Sequence, residues 1–224
     1  MPTLSVIVPV YNEVGNISGV IKNIDLLPLD KEIIVVNDSS SDGTDRILNG
    51  LHYPNLKIIH HSSNRGKGAA VITGLAQATG EYVIVQDADF EYDPKDYFKL
   101  IDAMKKECGD LILGARFTEG YHGMKIPRIG NRFLTNLMNI LFGVKLNDCF
   151  TCYKLMRRRD LLALSLGSKS FDIEIEILAK AIKKRMRIAE IPVYYKPRDY
   201  SQGKKIKVKD GIWAVLMIFK FRLI

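Results

Sequence analysis

Along the first half of the chain, short bursts of β-branched residues alternate with longer stretches whose apolar positions recur at helical spacing. Leu4-Ser5-Val6-Ile7-Val8-Pro9-Val10 reads as a buried strand, and Glu32–Asp38, Leu56–His60, Tyr82–Asp87 and Asp110–Ala115 read the same way. Between them the spacing predicts helices over Glu13–Leu26 and Gly66–Thr79. Asp42 can cap a further helix, and Asp93-Pro94 opens another. Units that alternate in this way give an α/β fold, a parallel sheet covered by helices on both faces.

The second half has a different pattern. Arg128–Phe142 predicts an amphipathic helix with Arg132, Thr135, Asn136 and Asn139 on one face and Phe133, Leu134, Leu137, Met138 and Leu141 on the other. A helix is expected over Phe171–Lys184 and a last strand over Arg187–Tyr195. Gly211 and the apolar run Ile212–Phe219 close the chain as a second amphipathic segment flanked by lysines. No internal repeat or linker divides the sequence, so residues 1–224 read as one domain, with a first half to about residue 116 and a second half beyond it.

Composition narrows the class. With 224 residues, 47% apolar and 26% charged, the chain can bury a core and is neither disordered nor fibrous. No apolar run approaches the ~20 residues of a membrane span, and the start lacks a signal-peptide pattern. Three cysteines exclude a disulfide scaffold and point to a reducing, cytoplasmic setting. The net charge is +8, and the segment Lys196–Ile224, with eight basic and two acidic residues, holds most of it. A basic end on a near-neutral body calls for anionic partners. Tyr200 and Trp213 are the aromatics within its basic stretch, and no nucleic-acid module is recognisable, so the expected partners do not include nucleic acid.

Ligands of open parallel sheets bind at the carboxyl ends of the strands. Polar residues gather there: Pro9-Val10-Tyr11-Asn12-Glu13 after the first strand, Asp38 after the second, and Asp87-Ala88-Asp89-Phe90-Glu91 after the fourth. In extended chain the alternating Asp87, Asp89 and Glu91 share one side, and three hard oxygen ligands suit Mg²⁺ or Mn²⁺ on a phosphate substrate. Asn64-Arg65-Gly66-Lys67-Gly68 is not a P-loop, because the spacing and the hydroxyl after the lysine are missing; it reads as a tight turn at a helix start. Cys149-x-x-Cys152 lacks the second pair of a zinc site, and the four histidines have no ligand spacing.

Together these segments resemble glycosyltransferase family 2 with its GT-A fold. The resemblance rests on Val8–Glu13, Val36–Thr44 and Asp87-Ala88-Asp89. Gly114–Phe117, Gly130-Asn131-Arg132, Thr151–Lys154, Phe171–Glu176 and Arg198–Ile206 are similar to the dolichol- or polyprenol-phosphate mannose synthase branch. The resemblance implies an inverting, metal-dependent hexosyltransferase that takes mannose or glucose from a nucleoside-diphosphate sugar of GDP-mannose or UDP-glucose type to a polyprenyl phosphate. The first half would bind the nucleotide sugar and the second the acceptor. Pro9, Tyr11, Glu13 and Asp38 would hold the nucleoside, joined by Asp87. Asp87, Asp89 and Glu91 would carry the metal. Arg116 and Arg132 would bind the acceptor phosphate, and Arg198 and Lys205 the donor diphosphate. Glu91 stands where members often carry Gln.

The two possible acceptors differ in chemistry. A phosphate monoester, with a second pKa near ~6, is already a nucleophile at neutral pH and needs guanidinium groups to position it. A glycan hydroxyl needs a general base, for which Asp148 is the candidate. The acceptor lipid also gives the two amphipathic segments a role at the cytoplasmic membrane face, where basic residues contribute ~1 kcal/mol each near anionic lipid.

Overall fold

The computed structural model describes residues 2–117, 125–198 and 208–224. Among these the sheet has seven strands: β1 (Leu4–Val10), β2 (Lys31–Asn37), β3 (Leu56–His60), β4 (Tyr82–Val85), β5 (Leu111–Ala115), β6 (Lys154–Arg157) and β7 (Ile188–Pro192). Their spatial order is β3-β2-β1-β4-β6-β5-β7, all parallel to their neighbours except β6, which runs antiparallel to β4 and β5. The helices are α1 (Ile17–Asp25), α2 (Thr44–Asn49), α3 (Lys67–Gln77), α4 (Tyr97–Lys105), α5 (Lys125–Phe142), α6 (Arg158–Ala163), α7 (Ile173–Lys183) and α8 (Val208–Leu223).

The central strands are built for burial on both faces. Every residue of β1 is buried, as are all of β2 except Glu32, which explains their unbroken β-branched runs. Each such aliphatic side chain contributes about 1.5–3 kcal/mol when fully buried. The β1–β4 pairing ends at Ile7 and Val85, and Pro9, with no N–H to give a ladder, lies beyond that point. The chain winds outward through β2 and β3 and then returns to β4 on the other side of β1. The crevice at this reversal lies at the carboxyl ends of β1 and β4.

The elements depart from the sequence pattern in three places. β6 and α6 do not follow from the pattern, because Lys154-Leu155-Met156-Arg157 is short and charged at both ends. β7 stops at Pro192, and Tyr195 makes only an isolated bridge to Tyr92. On α5 the polar and apolar positions do not divide cleanly between solvent and core. Thr135 is buried with its Oγ accepting the Cys149 N–H, and Asn139 exchanges hydrogen bonds with the Leu146 backbone. Phe133 and Ile140 are 62% and 79% exposed. The polar side chains turn inward because the irregular backbone beneath the helix needs hydrogen-bond partners.

Two glycines join the halves. Gly66 has φ +91°, and a Cβ on it or on Gly68 would stand 2.2 Å from the Lys169 carbonyl oxygen or 2.3 Å from that of Ser168. Only glycine lets the start of α3 dock this closely on the segment before α7.

Candidate active site

The first side of the crevice is assembled by two interlocked loops. Asn12 and Ser39, each just past the end of a strand, have φ of 53° and 62°, in the left-handed region. The Asn12 N–H donates to Ser40 Oγ, and Asn12 Oδ1 accepts the Ser41 N–H. Glu13 and Val14 donate their N–H groups to Thr44 Oγ1 and Asp42 Oδ2. Asp42 also accepts from the Thr44 N–H and hydroxyl, one residue before the cap position of α2, which Gly43 takes in place of the expected Asp42. Tyr11 is 40% exposed at the mouth, while Pro9 is buried within β1.

Asp38 sits at the floor of this side and is almost wholly buried. Its Oδ1 pairs with His61 Nδ1 at 2.7 Å and accepts the Arg65 N–H; its Oδ2 accepts the Gly66 N–H at 2.7 Å. His61 is in turn bonded to Thr73 Oγ1. Asp38 therefore holds in place the glycine-rich turn before α3.

The acids after β4 are split between two cations. Asp87 Oδ1 lies 2.7 Å from Lys67 Nζ, which also meets Glu174 Oε1 of α7 at 2.7 Å. Burial works against the Lys67 ammonium, but Asp87 leads the neighbouring charges that outweigh it and hold its pKa well above the usual range. Asp89 instead meets Arg198 Nη2 at 2.6 Å. Glu13 reaches Arg198 Nη1 at 3.2 Å. Glu91 Oε1 accepts the Arg198 backbone N–H at 2.8 Å, and its Oε2 accepts the Tyr195 hydroxyl. Burial, with Asp87 and Glu91 close by, pushes the Asp89 carboxyl up to about 7 against the pull of Arg198. Even with Arg198 in place, negative charge is in excess here.

Asp87, Asp89 and Glu91 thus do not converge as the extended-chain reading expects. Among the described residues no three His, Cys, Asp or Glu side chains stand arranged around a common ion. The donor chemistry nevertheless suits a hard divalent cation: Glu13, Asp89 and Glu91 already crowd round one positive group.

Arg116 follows β5 on the other side of the crevice. Its Nε donates to Asp148 Oδ2 at 2.7 Å and its Nη2 to Oδ1 at 2.8 Å. The Arg116 N–H and Asn131 Nδ2 add one bond to each oxygen, so both oxygens of Asp148 are satisfied. The guanidinium lies 4.9 Å and 5.1 Å from the ring centres of Phe117 and Tyr195. Arg132, one residue past Asn131 on α5, is exposed. Lys205 falls outside the described residues.

Residues 5–164 match the family description "Glycosyl transferase family 2". The chain belongs to glycosyl transferase family 2. That places it among the glycosyltransferases, as the motifs imply. It is 30% identical over 216 residues to a dolichol-phosphate mannosyltransferase of Pyrococcus furiosus, covering 90% of this chain and 58% of that protein. It is 31% identical over 228 residues to a dolichyl-phosphate beta-glucosyltransferase of Saccharomyces cerevisiae, covering 89% and 68%. Against the low-salt glycan biosynthesis hexosyltransferase Agl6 of Haloferax volcanii the identity is 29% over 205 residues, and the chain spans about half of that relative's length (49%). Among solved structures, glucosyl-3-phosphoglycerate synthase of Mycobacterium tuberculosis with phosphoglyceric acid superposes with a TM-score of 0.77 at 20% identity, over 100% of this chain and 81% of that one. A complex of the same enzyme with Mn²⁺, UDP and glucosyl-3-phosphoglycerate gives 0.74. The GT-A fold expected from the motifs is the fold of this chain.

The roles of Lys67, Asp148 and Glu174 are not visible in the sequence. Lys67 and Glu174 lie 107 positions apart, and Arg116 and Asp148 32 apart, with no local pattern linking them.

Proposed function

We propose that this chain transfers a hexose, mannose or glucose, from a nucleoside-diphosphate sugar to a polyprenyl phosphate in a single displacement that inverts the anomeric carbon. The pairing of Arg116 with a buried, saturated Asp148 carries this reading. With both oxygens held and the carboxyl kept below its usual range, Asp148 has no capacity to take a proton from a hydroxyl acceptor. An acceptor that brings its own ionised nucleophile needs no such base, and a phosphate monoester does so at neutral pH. Relatives named for dolichol-phosphate mannosyl and dolichyl-phosphate glucosyl transfer support the same acceptor class.

In this reading Tyr11, Asp38 and the Pro9–Glu13 turn receive the nucleoside. Mg²⁺ or Mn²⁺, held by Asp89 with Asp87 and Glu91, would supply positive charge against the diphosphate as it leaves. Arg198 and Lys205 add cationic hydrogen-bond donors to the same oxygens, a role in which one lost donor typically costs ~10²–10³ in rate. Arg116, fixed by Asp148 and Asn131, and Arg132 on the exposed side of α5 orient the acceptor phosphate.

The lipid acceptor is consistent with the outer surfaces of α5 and α8. Ile129, Phe133 and Ile140 form an exposed apolar stripe on α5, and Ile212, Leu216 and Phe219 form one on α8. Arg128, Arg132, Lys220 and Arg222 are exposed on the same helices. No helix among the described residues is long and apolar enough to cross a membrane. Apolar stripes bordered by basic side chains suit peripheral contact with an anionic bilayer surface.

The deciding experiment offers radiolabelled GDP-mannose and UDP-glucose, with Mn²⁺, to the chain in the presence of a polyprenyl phosphate or the matching polyprenol. Label is expected in the phosphate-linked lipid alone. Transfer to the alcohol or to a glycan, with none to the lipid phosphate, overturns the reading.

A further inference from the structure

Three carboxylates of the crevice converge on one side chain. Arg198 Nη2 lies 2.6 Å from Asp89 Oδ2, Nη1 lies 3.2 Å from Glu13 Oε2, and Nε lies 3.8 Å from Glu91 Oε1. Its side chain is 18% exposed, and those of Glu13, Asp89 and Glu91 are exposed by 9%, 9% and 15%. Three nearly buried carboxylates are gathered here, and Arg198 is the cation that all three reach.

The fit is incomplete. Arg198 Nε is buried without a hydrogen-bond partner, since Glu91 at 3.8 Å is beyond hydrogen-bond distance. The contrast with Arg116 is direct: there Nε and Nη2 make two parallel bonds to the two oxygens of one carboxylate. Arg198 spreads its fork over three acids and leaves one donor unmet. It neutralises charge without the geometry of a permanent pair.

From this we propose that Arg198 is the resident counter-ion of the donor-free site. Its guanidinium occupies Asp89 and reaches Glu91, two of the three carboxylates assigned to the divalent cation, with Glu13 beside them, so it must leave them before that cation can bind. The inference rests on the metal assignment made above and adds an order of events. A metal ion arriving alone has to displace a buried cation from Asp89 and Glu13. A metal ion arriving with a nucleoside diphosphate brings oxyanions that offer the displaced guanidinium a new, better-matched partner. The cation is thereby admitted together with the donor, and free metal is held off. Lys67 cannot play this part at Asp87, because Glu174 holds it from the opposite side.

The test is Mn²⁺ binding by the full chain without any nucleotide, followed by electron paramagnetic resonance of free Mn²⁺ or by calorimetry. If Arg198 fills the site in nine molecules of ten or more, removing it tightens Mn²⁺ binding at least about tenfold. Arg198→Ala and Arg198→Gln are expected to show that gain, and adding Asp89→Asn to either is expected to abolish it. Arg198→Lys, which keeps the charge, is expected to stay near the unmodified protein. In EDTA, Arg198→Ala is expected to melt below the unmodified chain, and Mn²⁺ is expected to raise its Tm by more. Unchanged or weaker Mn²⁺ binding by both Arg198→Ala and Arg198→Gln overturns the inference, as does a gain that survives Asp89→Asn. The metal assignment itself fails separately, if the unmodified chain takes up no Mn²⁺ even with UDP or GDP present.

Discussion

Asp148 receives the Arg116 guanidinium edge-on, Nε on one oxygen at 2.7 Å and Nη2 on the other at 2.8 Å, and is itself wholly shielded from solvent. Removing one partner of such a pair leaves the other as an uncompensated buried charge, which costs about 3–5 kcal/mol. Asp148→Asn is therefore expected to lower stability by that order in urea denaturation and to lower transfer with it. A catalytic base would behave differently, losing transfer with the melting temperature unchanged. The pair also sets a pH signature. Burial alone would raise the Asp148 carboxyl, but Arg116 outweighs it and holds the folded-state pKa below the unfolded value of about 3.9. The contribution is complete above that value and is lost as pH falls through the folded one, so the stability gap between Asp148→Asn and the unmodified chain should shrink in strong acid.

Lys67 bonds across the boundary of the two halves, to Asp87 after β4 and to Glu174 in the first turn of α7. Lys67→Met keeps the bulk of the side chain and removes the charge, leaving two carboxylates to repel. Because Asp87 is partly open to solvent, the expected loss is smaller than for Asp148, about 1–3 kcal/mol. The KM for the nucleotide sugar should rise as well, since Asp87 loses the contact that aims it. An unchanged KM in a variant of normal stability would detach Asp87 from the donor.

How much of this was legible beforehand depends on the range of the interactions. β1 and β2 could be read directly, because strands buried on both faces need continuous β-branched runs. The convergence of Glu13, Asp38, Asp87 and Asp89 on one edge followed from parallel topology alone. The inward turn of Thr135 and Asn139 could not be read, since it answers to backbone groups at Cys149 and Leu146 that lie beyond the helix. Nor could the splitting of the acids. The spacing of Asp87 and Asp89 puts them on one side of an extended chain, but Lys67 and Arg198 draw them to different partners, and Arg198 lies 109 residues from Asp89.

Asp38 makes a separate claim testable. It spends both oxygens on His61 and on the N–H groups of Arg65 and Gly66. Asp38→Ala removes the acceptor for all three, and a donor left unmet in such a part-buried turn costs up to about 1–3 kcal/mol. The variant should lose stability and, if the turn at Arg65-Gly66 borders the side of the crevice proposed for the nucleoside, should bind UDP or GDP more weakly in calorimetry. Full nucleotide affinity in a destabilised Asp38→Ala protein would restrict Asp38 to a structural part.

The surface stripes of α5 and α8 allow a test that leaves the core alone. Phe133 is 62% exposed and Leu216 53%, so Phe133→Glu and Leu216→Glu remove little packing. Surface changes of this kind ordinarily shift stability by no more than about 0.5 kcal/mol. On an anionic bilayer the same substitutions both forfeit apolar burial and add repulsion. The double variant should therefore keep its melting temperature and its turnover of a water-soluble, short-chain polyprenyl phosphate, while losing most of its co-sedimentation with phosphatidylserine vesicles and its activity on long-chain lipid in those vesicles. Equal sedimentation of the two proteins would separate these stripes from the membrane and assign them to a protein partner or to self-association.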